Sequence, residues 1–195
     1  HFSLPLANFE EDAFKNGLGF DGSSIRGFQT INKSDLNLIP DITTAFIDPV
    51  PAVPTLSLIC DVVDLDGSSY ANDPRGVLKR ANDYLLGTGL ADICYFGPEA
   101  EFFIFSSVAF DNSPNGSFYE VDGPSGFWGT GEPGLGYRPR IKEGYFPVPP
   151  TDKMQDLRSE MVEVLMSCGV DIEVHHHEVG GAAQAEIDMR FDEMC

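Results

Sequence analysis

The spacing of apolar and polar positions changes along this 195-residue chain, and the changes divide it into strand-rich and helical stretches. Residues 1–66 read as short strands and turns, with β-branched or apolar residues at Ile25, 43–48 and 56–63 between Pro and Gly. A polar run over 66–73, DGSSYAND, marks a boundary. There Asn72 or Asp73 is placed to cap a helix, and Pro74 fits its first turn. Val77, Leu78, Ala81, Tyr84 and Leu85 form one apolar stripe, and Gly87 is placed to end the helix. Residues 93–105, ICYFGPEAEFFIF, are apolar and aromatic enough for one mostly buried strand. The Gly- and Pro-rich stretch 106–150 is long for a loop, which implies function or short hairpins. A second helix is predicted from about Asp152, with Asp152 and Gln155 as a capping box. Met154, Leu157, Met161, Val164 and Cys168 make its apolar side, and Gly169 stops it. Two strands, roughly 171–179 and 184–191, follow around a small-residue turn.

Composition adds a constraint on partners. An apolar content of 42% is enough for a real core, but 31 acids against 12 Lys and Arg give a net charge of −19. Such a surface repels phosphate backbones and anionic lipid, so neither nucleic acid nor membrane is expected as a partner. No apolar run approaches the roughly 20 residues that span a bilayer. Clustered carboxylates favour divalent cations instead. Cys60, Cys94, Cys168 and Cys195 form no CxxC pair, which points to free thiols in a reducing cytoplasm. The chain starts at His1 and stops directly after a strand-like run, as a piece of a longer protein would.

Three constellations carry candidate chemistry. GLGFDG, residues 17–22, satisfies G-x-G-x-x-G, but the strand-like SSIRGFQTI follows it where a dinucleotide site needs a helix. It reads as a tight turn. Glu99 and Glu101 stand two apart in a predicted strand, so both carboxylates share one face. Two like charges on a buried face cost several kcal/mol unless a cation or a proton intervenes. The plain structural alternative pairs one acid with an Arg and turns the other to water. In VHHHEVGGAAQAEIDM, residues 174–189, a turn at 180–183 would place Glu178 and Glu186 symmetrically about Ala182, facing each other across a hairpin. The four glutamates could then converge as hard ligands, suited to Mg²⁺ or Mn²⁺ rather than zinc. Three consecutive histidines on a regular strand cannot bind one metal. His175 and His177 point one way with Glu173, and His176 points the other way with Glu178. His176, on the acid face, is the histidine placed to contact phosphate.

FDGSSIRGF, SDLNLIPDITTAFIDP, FGPEAEFFIF, EGYFPVPPTD with QDLRSEM, and VHHHEV followed by AQAEI resemble bacterial type I glutamine synthetase, in family order over essentially the whole chain. The resemblance implies an α+β fold. An N-terminal β-grasp domain over 1–68 would precede part of a catalytic domain over 69–195, with antiparallel strands and flanking helices. It also implies an ATP-dependent ligase that joins ammonia to glutamate through a γ-glutamyl phosphate, with two divalent ions, Mg²⁺ or Mn²⁺, per site. By matching motifs, Glu101, Glu178 and Glu186 would hold one ion and Glu99 would contribute to the second. Glu173 matches a nucleotide-contacting acid, and His176 a histidine near the transferred phosphate. Asp21, with Ser24, and Tyr145 match the ammonium pocket. On the residues alone, Asp21 reads as an Asx-turn in DGSS and Tyr145 as plain packing beside Phe146; only the resemblance assigns them to the pocket. The resemblance further implies a cytoplasmic dodecamer in which Asp21 and Ser24 of one subunit complete a neighbour's site.

Departures from the family pattern are Ala183, where Gly is usual, and Lys33 and Val50. The family's histidine of the second ion site, its glutamate-binding arginines and its regulatory tyrosine belong to sequence beyond Cys195. On its own this stretch is expected not to catalyse synthesis. Two other readings remain at this point. One is a non-catalytic metal-binding or regulatory relative; the other is a γ-glutamyl ligase for a different amine.

Overall fold

The computed structural model of the chain describes residues 1, 3–9, 12–128 and 136–194. They form two compact units, His1–Phe96 with the residues from Glu193 onward, and Gly97–Asp192.

In the first unit, the short helix α1 (Ala13–Asn16) precedes strand β1 (Leu18–Asp21). Strands β2 (Asp35–Asp48) and β3 (Thr55–Val63) complete an antiparallel sheet in the order β1-β2-β3. GLGFDG is therefore a turn and a strand. Gly17 adopts φ 75°, and a Cβ there would stand 2.9 Å from the Leu38 carbonyl oxygen. Leu36 is fully buried, and Phe28 meets the Tyr70 ring edge-on at 4.7 Å while its carbonyl accepts the Tyr70 hydroxyl.

Helix α2 (Pro74–Thr88) begins as predicted. The Asp73 carboxylate accepts the Arg75 and Gly76 N–H groups, and Pro74 occupies the first turn. It ends two residues later than expected. Gly87 stays helical, and Gly89 takes the left-handed conformation at φ 66° that terminates the helix.

The predicted single strand over 93–105 is two strands. β4 (Tyr95–Phe96) belongs to the first unit and β5 (Glu99–Phe103) to the second. Pro98 lacks an N–H for a ladder and separates them. Burial also differs from expectation. Glu99, Glu101 and Phe103 are exposed, because β5 is the edge strand of its sheet.

In the second unit, β6 (Ser107–Ser113) and β7 (Gly116–Asp122) form a hairpin inside the Gly- and Pro-rich stretch. Helix α3 (Gln155–Ser167) packs on β8 (Ile172–His177), and β9 (Gln184–Met189) lies between β5 and β8. No capping box forms at α3. Met154 precedes the helix without a side-chain cap. Asp152 instead accepts the Met154 N–H at 3.0 Å and makes a two-point ion pair with Arg158, one contact at 3.1 Å. Both side chains are buried, and a buried charge needs its partner more than a helix end needs a cap.

Side chains of β9 alternate between the two faces of the sheet, although Ala185, Glu186 and Ile187 are all buried. Ala185 and Ile187 are buried on the face that carries His175 and His177, their cross-strand partners. Gln184, Glu186 and Asp188 point to the opposite face.

Candidate metal centre

The face of the three-stranded sheet away from Ala185 and Ile187 is built in rows. Glu101 on β5 stands opposite Glu186 on β9, which stands opposite His176 on β8. The next row is Glu99, Asp188 and Val174. The turn supplies a third: the Glu178 N–H bonds the Gln184 carbonyl at 2.8 Å, placing Glu178 opposite Gln184.

The hairpin thus differs from the predicted pairing of Glu178 with Glu186. Gly181, Ala182 and Ala183 all adopt left-handed φ values, 71°, 50° and 61°. That tight coil shifts the pairing by two residues. Because side chains alternate with period two, the shift keeps Glu178 and Glu186 on one face but makes them diagonal neighbours.

The electrostatics of this face are unfavourable without a positive partner. Glu186 is 9% exposed. Burial raises its carboxyl to about 7, helped by hydrogen bonds to Glu178 and Asp188 and by their charge. Glu178 Oε2 and Asp188 Oδ1 are buried oxygens without a hydrogen-bond partner among the described residues. His176 Nδ1 contacts the His177 carbonyl at 3.2 Å, so as a donor there it leaves Nε2 as a lone pair 3.7 Å from Glu186 Oε2. One ligand atom each from His176, Glu186 and Asp188 lies within 4.8 Å of the others. On an octahedral ion with bonds of about 2.1 Å, cis ligand atoms stand about 3 Å apart and trans ones about 4.2 Å, so these three side chains would have to close around a divalent cation to hold it together. Gln184 braces the site. Its Nε2 donates to Glu101 Oε2 at 2.9 Å, and its Oε1 accepts the Gly180 N–H at 2.7 Å.

An aromatic wall borders the acids. Tyr145 stacks on Phe146 at 4.0 Å and meets His176 edge-on at 5.5 Å; Phe146 meets the same imidazole at 4.5 Å. Their loop is tied to the hairpin. Gly144 N–H bonds Val179 O at 3.4 Å, Phe146 N–H bonds His177 O at 3.3 Å, and buried His177 contacts Gly144 O through Nδ1 at 2.8 Å.

The remaining predicted residues lie elsewhere. Glu173 occupies the register shift between Ile172 and Val174, so it leaves the regular alternation assigned to it with His175 and His177, and it is exposed. Asp21 and Ser24 belong to the first unit. Asp21 accepts hydrogen bonds from the Ser23 and Ser24 hydroxyls at 2.6 and 2.7 Å and from the Ser23 N–H, which hold its carboxyl below the usual range. This is the Asx-turn geometry. Asp188 was not among the expected ligands, although its spacing of two from Glu186 is the same signal that grouped Glu99 with Glu101. Among the described residues, Cys60, Cys94 and Cys168 are free thiols, and no helix is long and apolar enough to cross a membrane. Cys195 lies outside them.

Comparison with known proteins places this arrangement. The model of the glutamine synthetase β-grasp domain matches residues 1–65, and that of the glutamine synthetase catalytic domain matches 71–195. A glutamine synthetase of Frankia alni is 52% identical over 98% of this chain and 42% of its own length. A protein of Cupriavidus pinatubonensis named 3-hydroxylaminophenol mutase is 50% identical over the same shares. The solved glutamine synthetase of Plasmodium falciparum superposes with a TM-score of 0.83, at 23% identity, over 97% of this chain and 38% of that one. The chain spans less than half the length of these relatives. With both domain models matched in order, the chain belongs to the glutamine synthetase family.

Proposed function

We propose that the protein carrying this chain ligates ammonia to glutamate at the expense of ATP, through a γ-glutamyl phosphate. The observation that carries this reading is the row of Glu101, Glu186 and His176 beside buried carboxylate oxygens that lack partners. Such a face favours a cation or a proton, and the reaction favours cations, since glutamate and ATP repel each other. Bound divalent cations would neutralise that charge and align attack on the terminal phosphate.

In this reading Glu101, Glu178 and Glu186 hold one ion and Glu99 contributes to the second. The ions are Mg²⁺ or Mn²⁺. His176 faces the transferred phosphate, and Glu173 contacts the nucleotide. Asp21 attracts ammonium and accepts its proton, with Ser24 fixing the carboxylate and Tyr145 shaping the pocket. The hydrogen bonds that depress Asp21 keep it ionised, as attraction of a cation requires. Asp21 and Ser24 act on a neighbouring subunit's ions within a dodecamer, and the enzyme works in the cytoplasm.

The test is phosphate release by the full-length protein, measured together with glutamine. Stoichiometric formation of both, dependent on glutamate, ammonium and ATP, is expected, and Glu186→Gln should lower kcat at least a hundredfold. The Cupriavidus relative makes a second substrate worth including. Turnover of 3-hydroxylaminophenol without glutamine formation would overturn the ligase reading.

A further inference from the structure

We propose that Asp188 is an additional cation ligand of this centre, placed between the Glu99 and Glu186 carboxylates. This rests on the reading of the acid face as a divalent-cation site and adds a residue to it. Three observations converge. Asp188 stands directly opposite Glu99 and two residues from Glu186 on the same strand, so all three side chains share one face. A ligand atom of Asp188 lies within 4.8 Å of ligand atoms on Glu186 and His176. Asp188 Oδ1 is buried and has no hydrogen-bond partner among the described residues, and no ion pair to Asp188 is formed among them.

A carboxylate with only a packing role is costly in this position. The Asp188 carboxylate stands within 4.8 Å of that of Glu186, and a neutral side chain of the same shape would relieve the repulsion between them. Binding a cation reverses the balance, because Asp188 then supplies a negative oxygen within reach of both rows. An octahedral ion bound to Glu186 needs several further donors, and Asp188 is the nearest carboxylate along the same strand. The two sides of this argument have opposite signs. Removing the charge should stabilise the metal-free protein and weaken the metal-bound one. A purely structural residue would move both in the same direction.

The probe is Mn²⁺ alone, titrated into chelator-stripped full-length protein. Free Mn²⁺ is followed by electron paramagnetic resonance, and melting temperature is recorded with and without the ion. Asp188→Asn is expected to weaken one bound Mn²⁺ at least tenfold, to raise the melting temperature of the stripped protein, and to shrink the Mn²⁺-induced rise. Asp188→Ser gives the same readouts if the Asn variant does not fold. Wild-type Mn²⁺ affinity in Asp188→Asn, with loss of binding in Glu186→Gln, would overturn this inference and leave the cation centre standing. Unchanged binding in both variants would overturn the centre, and the inference with it.

Discussion

Glu186 and Gly144 show how much of the site depends on single atoms. Glu186 concentrates the electrostatic strain, since burial and two neighbouring acids hold its carboxyl near 7. Glu186→Gln should therefore raise the melting temperature of metal-free protein while abolishing most of the protection given by Mn²⁺ or Mg²⁺. Differential scanning fluorimetry with and without ion reads both effects. Gly144 limits the site sterically. A Cβ on it would stand 2.5 Å from the Glu178 carbonyl oxygen and 2.9 Å from the Gly181 nitrogen, both backbone atoms of the turn. Neither moves cheaply, so Gly144→Ala should cost about 1–3 kcal/mol in denaturant unfolding. Because the same glycine precedes Tyr145, that substitution should also raise the KM for ammonium more than that for ATP.

Among the elements, α3 is fixed to the segment before it by a buried charge pair. Arg158 and Asp152 are 2% and 6% exposed, and their pairing decides how α3 is held. Arg158→Met alone leaves Asp152 buried and unpaired, at an expected cost of about 3–5 kcal/mol. Adding Asp152→Leu should recover most of it, measurable as a double-mutant cycle in urea. The pair also sets a pH dependence. Burial raises the Asp152 carboxyl, but the Arg158 hydrogen bond, the Met154 N–H and the Arg158 charge outweigh burial and leave it below its ordinary value. A depressed carboxylate contributes stability above its unfolded pKa, about 3.9, and loses it as pH falls through the lower folded value. Wild-type stability should fall in that acid window, and the fall should be smaller in the Arg158→Met, Asp152→Leu double variant.

These elements also show where a sequence is readable. The start of α2 is legible because capping is local: Asp73 and Pro74 act within one turn. The acid face is legible because strand alternation is geometric. Glu99 with Glu101 follows from period two, and a slip of two residues in the hairpin leaves Glu178 and Glu186 on the same face. The slip itself was not legible, since nothing in Ala182 or Ala183 announces a left-handed backbone. The capping box at Asp152 failed because Arg158, six residues on, competes for that carboxylate in a buried setting that local pattern does not reveal. Exposure of β5 escaped for a similar reason, because its aromatic content describes a strand and not its place at the sheet edge.

At the scale of the whole molecule, Asp21 and the acid face belong to different compact units of the chain. If the ammonium pocket is completed between subunits, two inactive variants should rescue each other. Asp21→Asn and Glu186→Gln subunits, denatured together and reassembled, should regain a fraction of wild-type activity that neither has alone. No recovery, in mixed oligomers shown to contain both variants, would count against a shared site. The central claim, that the rows on this sheet face gather hard cations, has a more direct test. Crystals of the full-length protein soaked in Mn²⁺ and measured at the manganese edge should show anomalous peaks about 2.1 Å from carboxylate oxygens of Glu101, Glu178 and Glu186. Peaks confined to other parts of the molecule, or a bare acid face at saturating Mn²⁺, would contradict it.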